Sequence, residues 1–314
     1  MRIAGTLIED TYAEAFTMRA ARLIITADSE RWALTAARSM TGFATSVIGC
    51  DCEAGPEGPP PARTPDGRPG VRVLVFARSS EILQGQLMRR VGQCVMTAAT
   101  TACFDDLPSE ETVRVGSLLR FFGDGHQGSK VLDAALADPP QSRERRFWRI
   151  PVMDGEFVVE DRFGVRKAVA GGNFLILGRT PDAALAAAER AVESIRSIPA
   201  VILPFPGGIV RSGSKVGSKY RKLIASTNTP YCPTLRRSTQ SALPDDVASV
   251  LEIVIDGLSP DDVRRAMAAG VRAACGDGVV SISAGNYGGK LGKHLIHLRP
   301  LFQETSGPGP SPAK

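Results

Sequence analysis

The sequence predicts an α+β protein built from two pseudo-symmetric, ferredoxin-like α/β sandwich lobes. Three observations carry this expectation. An internal repeat pairs the two halves of the chain, each half holds two strand–helix–strand passages, and neither half has a glycine fingerprint after its first strand. The missing fingerprint, with too little consecutive strand–helix alternation, argues against a Rossmann fold.

The elements follow in order. The first passage reads Glu9-Asp10-Thr11-Tyr12, then an apolar strand from Ala20 to Ala27, an alanine-rich helix around Trp32 to Ala37, Gly42, and a second apolar stretch from Thr45 to Ile48. Cys52 to Gly70 is dense in Pro and Gly and reads as a surface loop. Val71 to Phe76 is a strand, followed by a helix from Glu81 to Cys94. Leu107 to Arg149 is a mixed insertion ending in the basic run Arg143-Glu144-Arg145-Arg146. The pattern then recurs: Glu160-Asp161-Arg162-Phe163, a strand from Ala168 to Leu177, a helix around Asp182 to Glu189, and an apolar stretch from Ala200 to Leu203. Val250 to Ile255 is a strand. Ser259 and Pro260 are the N-cap and first residue of a helix from Asp261 to Cys275, and Val279 to Ser283 is the closing strand. The expected division is an N-terminal lobe over 1–152, a C-terminal lobe over 153–302, and a disordered Gly/Pro/Ser tail over 303–314.

Composition narrows the function classes. The 314 residues carry a net charge of +5 and are 43% hydrophobic, which is ordinary for a soluble globular chain. No apolar run approaches the ~20 residues of a membrane span, and Met1 to Asp10 lacks a secretory signature, so a cytoplasmic protein is expected. The six cysteines are scattered, and Cys50-Asp51-Cys52 has no matching second pair, so they read as small apolar residues or incidental thiols. No metal-ligand set can be read. His294 and His297 lie three apart in a strand pattern, hence on opposite faces, and His126 stands alone. Nucleic-acid binding has a basic stretch in its favour, but lacks aromatic platforms and recognised motifs.

The candidate chemistry lies in glycine-rich loops and one glutamate. Pro204 to Val210 contains Gly207 and Gly208 and runs into Arg211-Ser212-Gly213-Ser214-Lys215-Val216-Gly217-Ser218-Lys219. This nearly spells a phosphate-binding P-loop, but Ser-Lys stands where Lys-Ser/Thr is required. Small residues, hydroxyls and cations fit a cradle for a polyanionic small molecule; they fit a solvated basic loop equally. Two loops echo one another: Ala170-Gly171-Gly172-Asn173-Phe174, and Ser283-Ala284-Gly285-Asn286-Tyr287-Gly288-Gly289-Lys290. A glycine within a strand signals a bulge or a close backbone approach. Glu252 lies in Val250-Leu251-Glu252-Ile253-Val254-Ile255, on the face it shares with Val250 and Val254. A carboxyl there is either desolvated, with the raised pKa of a general acid/base, or paired with an arginine at a sheet edge. The acid pairs Glu9-Asp10 and Glu160-Asp161 occupy equivalent places and read as structural.

These residues resemble a known family. Ile8-Glu9-Asp10-Thr11-Tyr12-Ala13-Glu14-Ala15-Phe16, Thr41 to Ile48, Thr64 to Val71, Gly92 to Thr97, Phe121 to Gly125, Val169 to Phe174, Pro204 to Val210, Ser214 to Lys219, Ala225 to Asn228 and Ile282 to Asn286 are similar to formylmethanofuran:tetrahydromethanopterin formyltransferase. The similarity runs from about Ile3 to Phe302. The resemblance implies formyl transfer between N5 of tetrahydromethanopterin and the amine of methanofuran. It implies no metal or prosthetic group, the two coenzymes being substrates. It implies two lobes, with the N-terminal one expected as proximal and the C-terminal one as distal. It also implies a homotetramer, and Glu252 as the proposed acid/base. Coenzyme binding is expected from Gly171, Gly172, Asn173, Gly207, Gly208, Ser212, Ser214, Lys215, Lys219, Asn286 and Lys290, with oxyanion donors from the glycine loops, Asn173 or Asn286. The basic, alanine-rich character and the added tail look like the methylotroph version. That version works within a formyltransferase/hydrolase complex oxidising formaldehyde to formate. A non-catalytic assembly subunit and a module for another anionic coenzyme are the rival readings.

Overall fold

The computed structural model describes residues 1–132 and 144–303. The expected tail lies outside the described residues beyond Gln303, as does the middle of the 107–149 insertion.

The chain opens with short strands β1 (Arg2–Ile3) and β2 (Thr6–Ile8). The first lobe is then β3 (Tyr12–Thr26), α1 (Glu30–Thr41), β4 (Glu53–Pro56), β5 (Gly70–Ala77), α2 (Ser80–Arg90) and β6 (Ala102–Asp105). An excursion follows: β7 (Thr112–Arg114), a single turn α3 (Gly116–Leu119), β8 (Gly128–Leu132), β9 (Arg145–Val152), β10 (Gly155–Glu160) and β11 (Arg162–Gly164). The second lobe comprises β12 (Arg166–Gly178), α4 (Pro181–Arg196), β13 (Val201–Ile202), β16 (Ser249–Gly257), α5 (Pro260–Ala274) and β17 (Val279–Ser283). The hairpin β14 (Lys215–Val216) and β15 (Ala225–Ser226) lies between β13 and β16, and β18 (His294–His297) ends the strand series.

Both lobes have the ferredoxin-like order. In the first, the antiparallel sheet runs β4-β5-β3-β6; in the second, β13-β16-β12-β17. All four core helices begin at a Ser or Thr whose hydroxyl accepts an early backbone N–H: Ser29, Ser79, Thr180 and Ser259. The helices cover one face of each sheet. Leu23, Ile25, Val73 and Val75 face Ala36, Ala37, Met40 and Leu83 in the first core. Phe174, Ile176, Ile253 and Ile255 face Ala187, Ala188, Val263 and Met267 in the second.

The lobes share one sheet. β3 is long enough to continue past its own lobe and pair antiparallel with β12, from Ala20 opposite Arg166 to Phe16 opposite Ala170. Elements also cross over. β2 pairs parallel with β17, and β18 pairs with β3. β10 pairs with β6, and Phe157, Val159, Phe163 and Val165 belong to the first core. Residues 153–165 fold back onto the first lobe, so its core extends past residue 152 to the start of β12. Glu57 fastens the junction, accepting from Ala200 N (2.7 Å) and from Arg22 Nε (2.7 Å).

Two expectations are corrected locally. Thr45 to Ile48 forms a turn, and the second strand is β4, inside the stretch expected as a loop. Gly55 makes β4 possible: an added Cβ would stand 3.1 Å from Cβ of Ile202 in the other lobe. The acid pairs are structural. Glu160 is buried and accepts from Arg145 Nε (2.9 Å) and Asp105 N (2.8 Å), while Glu9 accepts from Ser281 Oγ (2.8 Å).

Candidate active site

Glu252 sits mid-sheet on the face away from the helices. A row of directly opposed residues crosses three strands and a loop: Ser283, Leu175, Glu252 and Val210. Opposed residues share a face, so the carboxyl stands among apolar neighbours. Leu175, Leu177, Leu243 and Val247 form a small cluster there, with Val250 and Tyr231 against it. Among the described residues Glu252 makes no ion pair. Its strand is interior, since Val210 N donates to Glu252 O (2.8 Å) and Glu252 N to Val210 O (2.9 Å). The edge-strand, arginine-paired alternative is thereby excluded. Burial pushes the Glu252 carboxyl up to about 7.

The glycine loop before Val210 supplies one wall of a separate cleft, lined also by α1 and α4 residues and not by Glu252. Gly207 and Gly208 both have positive φ, +66° and +88°, which reverses the chain. They line a cleft of about 640 Å³ between the lobes, opposite Thr41, Gly42 and Phe43 of the first lobe. Gly208 is also packed: an added Cβ would meet Val192 and Leu203 at 2.9 Å. The chain then passes exposed Ser212 and Ser214 into the β14–β15 hairpin. Its Lys215 Nζ donates to Thr229 Oγ1 (3.2 Å), and Lys219 is exposed nearby.

The second pair of loops packs together. Gly171, φ +85°, forms the expected bulge in β12, and its N–H donates to Asp256 Oδ1 (2.9 Å). Gly172 is fixed by packing, since an added Cβ would lie 2.2 Å from Val263 Cγ1. Asn173 is fully engaged. Its Nδ2 donates to Gly171 O and Gly285 O, both at 3.1 Å, and its Oδ1 accepts from Gly285 N (2.6 Å). Asn286 Nδ2 donates to Thr11 Oγ1 and Tyr12 O, both at 3.2 Å. Both asparagines therefore tie the loops to strands and have no amide hydrogen left for a developing oxyanion. Lys290 is exposed at the loop's end.

Two residues that shape these loops are not evident from the sequence. Buried Glu14 of β3 accepts four backbone N–H groups from the 287–292 loop: Tyr287 (3.1 Å) and Gly289 at Oε1, Leu291 (3.2 Å) and Gly292 (3.0 Å) at Oε2. Burial alone would raise this carboxyl, but the four donors outweigh burial and hold it below the usual carboxylate range. Tyr287 is half-buried beside the Phe16 ring, their centroids 6.3 Å apart. Burial first, then the Glu252 charge, pushes the Tyr287 phenol upward. Among the described residues no group of three or more His, Cys, Asp or Glu side chains is placed to hold a metal ion.

Comparison with known proteins fits this geometry. Residues 1–152 match the family model described as formylmethanofuran–tetrahydromethanopterin formyltransferase, and residues 155–301 match the model of that family's proximal lobe. The chain belongs to the formylmethanofuran–tetrahydromethanopterin formyltransferase family. Its C-terminal lobe, and not its N-terminal one, carries the family's proximal label, which reverses the expected naming. The formyltransferase of Methylococcus capsulatus is 55% identical over 307 residues, covering 96% of this chain and all of that one. A component of the Methylorubrum extorquens formyltransferase/hydrolase complex is 49% identical, covering 96% and 97%. A solved structure of that complex, in complex with methylofuran, superimposes with a TM-score of 0.91 at 48% identity, covering 96% and 99%. The protein is a formyltransferase, with tetrahydromethanopterin and methanofuran as its coenzyme substrates.

Proposed function

We propose that Glu252 is the acid/base of this formyl transfer. The observation that carries the reading is a carboxyl set between Leu175 and Val210 in its row, without an ion pair among the described residues, on a strand bridged to the end of the 204–210 glycine loop. The amine nitrogen of methanofuran attacks the formyl carbon carried on N5, and a C–N bond forms as the carbonyl becomes an oxyanion. Neutral Glu252 gives its proton to N5 as the C–N5 bond breaks, and the carboxylate takes a proton from the attacking nitrogen. Holding both coenzymes in one cleft supplies the orientation, and excluding water keeps the transferase from hydrolysing the formyl group.

Gly207, Gly208, Ser212, Ser214, Lys215, Lys219 and Lys290 hold the coenzymes in this reading; Gly171, Gly172, Asn173 and Asn286 shape the loops around them. Flux runs towards formylmethanofuran, in formaldehyde oxidation to formate, with a hydrolase-type partner removing the formyl group. The likeness to a component of the formyltransferase/hydrolase complex supports this assembly. The chain forms a homotetramer, alone or within that complex, in the cytoplasm. Its two lobes act as the units of the fold. A transfer assay with both coenzymes tests the chemistry: Glu252→Gln lowers kcat by about 10²–10⁴-fold with little change in KM. Near-wild-type kcat overturns the assignment. Light scattering with and without hydrolase-type subunits tests the assembly.

A further inference from the structure

Phe43 combines three properties that a structural role does not explain. It is 80% exposed, its φ is +50°, and it lines the cleft between the lobes. A left-handed backbone disfavours a bulky side chain, and an exposed ring gains little from burial. What holds it there is Arg90 of α2. The Arg90 guanidinium donates to Met40 O (2.5 Å), Gly42 O (3.0 Å) and Phe43 O (2.9 Å), while its Nε donates to buried Gln86 (3.2 Å). One arginine thus caps the end of α1 and fixes the turn that carries the ring.

The cleft suits a flat, anionic ligand. Phe43 comes from the first lobe and Phe205 from the second, and Pro56, Pro204 and Pro206 add to the apolar walls. Among the described residues its charged lining is Arg38 and Arg196, with no acid. Both arginines are exposed. Arg38 has no side-chain partner among the described residues, and Arg196 reaches only Gly207 O at 3.4 Å and Glu193 at 4.0 Å. A flat ring stacks on aromatic surfaces, guanidinium groups pair with carboxylate or phosphate, and about 640 Å³ holds a ligand of that size.

We propose that this cleft holds an aromatic, anion-bearing part of a coenzyme remote from the reacting atoms, with Phe43 as its stacking surface and Arg90 as the residue that positions Phe43. The proposal rests on the formyl-transfer reading and adds a remote binding site to it. Glu252 lies outside the cleft and close to it. Its backbone partner Val210 stands two residues past Gly208, about 7 Å of extended chain. An elongated coenzyme reacting at Glu252 spans that length, so binding in the cleft orients the reacting end.

Phe43→Gly separates function from fold. Glycine relieves the left-handed backbone, so Tm is expected to stay level or rise, while affinity for one coenzyme falls at least about fivefold, the scale of one stacked ring. Each coenzyme is titrated alone by calorimetry, so the one that loses affinity is the one the cleft holds. Phe43→Tyr keeps a ring and is expected to keep that affinity within about twofold. Affinity within about twofold of wild type for both coenzymes in Phe43→Gly overturns the site, and an equal loss in Phe43→Tyr overturns stacking. Arg90→Lys keeps the charge without the planar fork. It is expected to weaken the same coenzyme and to add nothing when combined with Phe43→Gly, because it acts through the ring. Additive losses overturn the positioning role. Replacing Arg38 and Arg196 together by Ala should reduce the salt dependence of that affinity; an unchanged dependence removes the anion from the proposal. Titration needs no turnover. If Glu252→Gln keeps full activity, the acid/base assignment fails, while these affinities still decide the cleft.

Discussion

Glu53 of β4 and Asp256 of β16 are buried neighbours across the junction of the two lobes, and each keeps one oxygen, Oε2 and Oδ2, that no donor of the described residues reaches. Two ionised carboxylates buried together repel, so a proton retained on one of them and shared with the other is the expected state of the pair. Glu53 Oε1 accepts from Val47 N (3.2 Å) and Asp256 Oδ1 from Gly171 N (2.9 Å); Arg78 supplies the nearby positive charge to Glu53. Burial, then the Glu53 charge, raises the Asp256 carboxyl well above its usual range, and burial raises Glu53 as well.

Raised folded-state values set the sign of a pH effect. The folded protein binds a proton that the unfolded chain has released, so stability falls as pH rises from the ordinary carboxylate range through the raised values. Asp256→Asn supplies the donor covalently and flattens that slope, whereas Asp256→Ala leaves Glu53 buried without its partner and costs about 1–3 kcal/mol. Urea unfolding of the three proteins between pH 5 and 8 checks this; a slope unchanged in Asp256→Asn would refute the shared proton.

The glycines of the site separate by cause. Gly172→Ala drives a methyl to 2.2 Å from Val263 Cγ1 on α5, an overpacking worth about 1–3 kcal/mol, so it lowers Tm. Gly207→Ala meets open space but keeps a left-handed backbone, φ +66°, at about 1–2 kcal/mol. Its cleft-facing methyl should raise KM, which Gly172→Ala should not. Melting curves and steady-state kinetics on both variants distinguish these outcomes.

Where a signal is local, the sequence carries it. β16, α5 and β17 follow from period-two alternation and the Ser259-Pro260 cap, and Glu252 stands out because its strand neighbours are apolar. β4 is hidden because its burial depends on Ile202 of the other lobe, which a Pro/Gly count cannot reveal. The crossovers of β2 and β18 are pairings between chain ends. Glu14 is hidden for the same reason, since its partners lie 273 to 278 residues away. One clue is present: in Tyr12-Ala13-Glu14-Ala15-Phe16 an acid lies within a small and aromatic strand, the pattern that marks Glu252.

The exposed lysines Lys215, Lys219 and Lys290 act on charge and not on shape. Exposed ion pairs are worth about 0.2–1 kcal/mol, or roughly 1.4- to 5-fold in affinity. Each Lys→Ala variant should raise KM by that factor for highly charged coenzyme variants, and less for weakly charged ones. Added salt should shrink the difference. KM unchanged for every coenzyme at low salt would remove these residues from the site.

Glu252 also predicts the pH dependence of turnover. Burial holds its carboxyl at about 7, so the neutral acid dominates below that pH and the carboxylate above it. Protonating the departing N5 nitrogen requires the neutral acid, so kcat declines as pH rises through about 7 when that step limits the rate. Glu252→Gln cannot exchange a proton, so its low residual rate loses this inflection. Glu252→Asp keeps an acid but withdraws it by one methylene from the reacting nitrogen. It should retain an inflection while losing rate. A wild-type profile flat from pH 6 to 8, in steady-state assays with both coenzymes saturating, would place proton delivery outside Glu252.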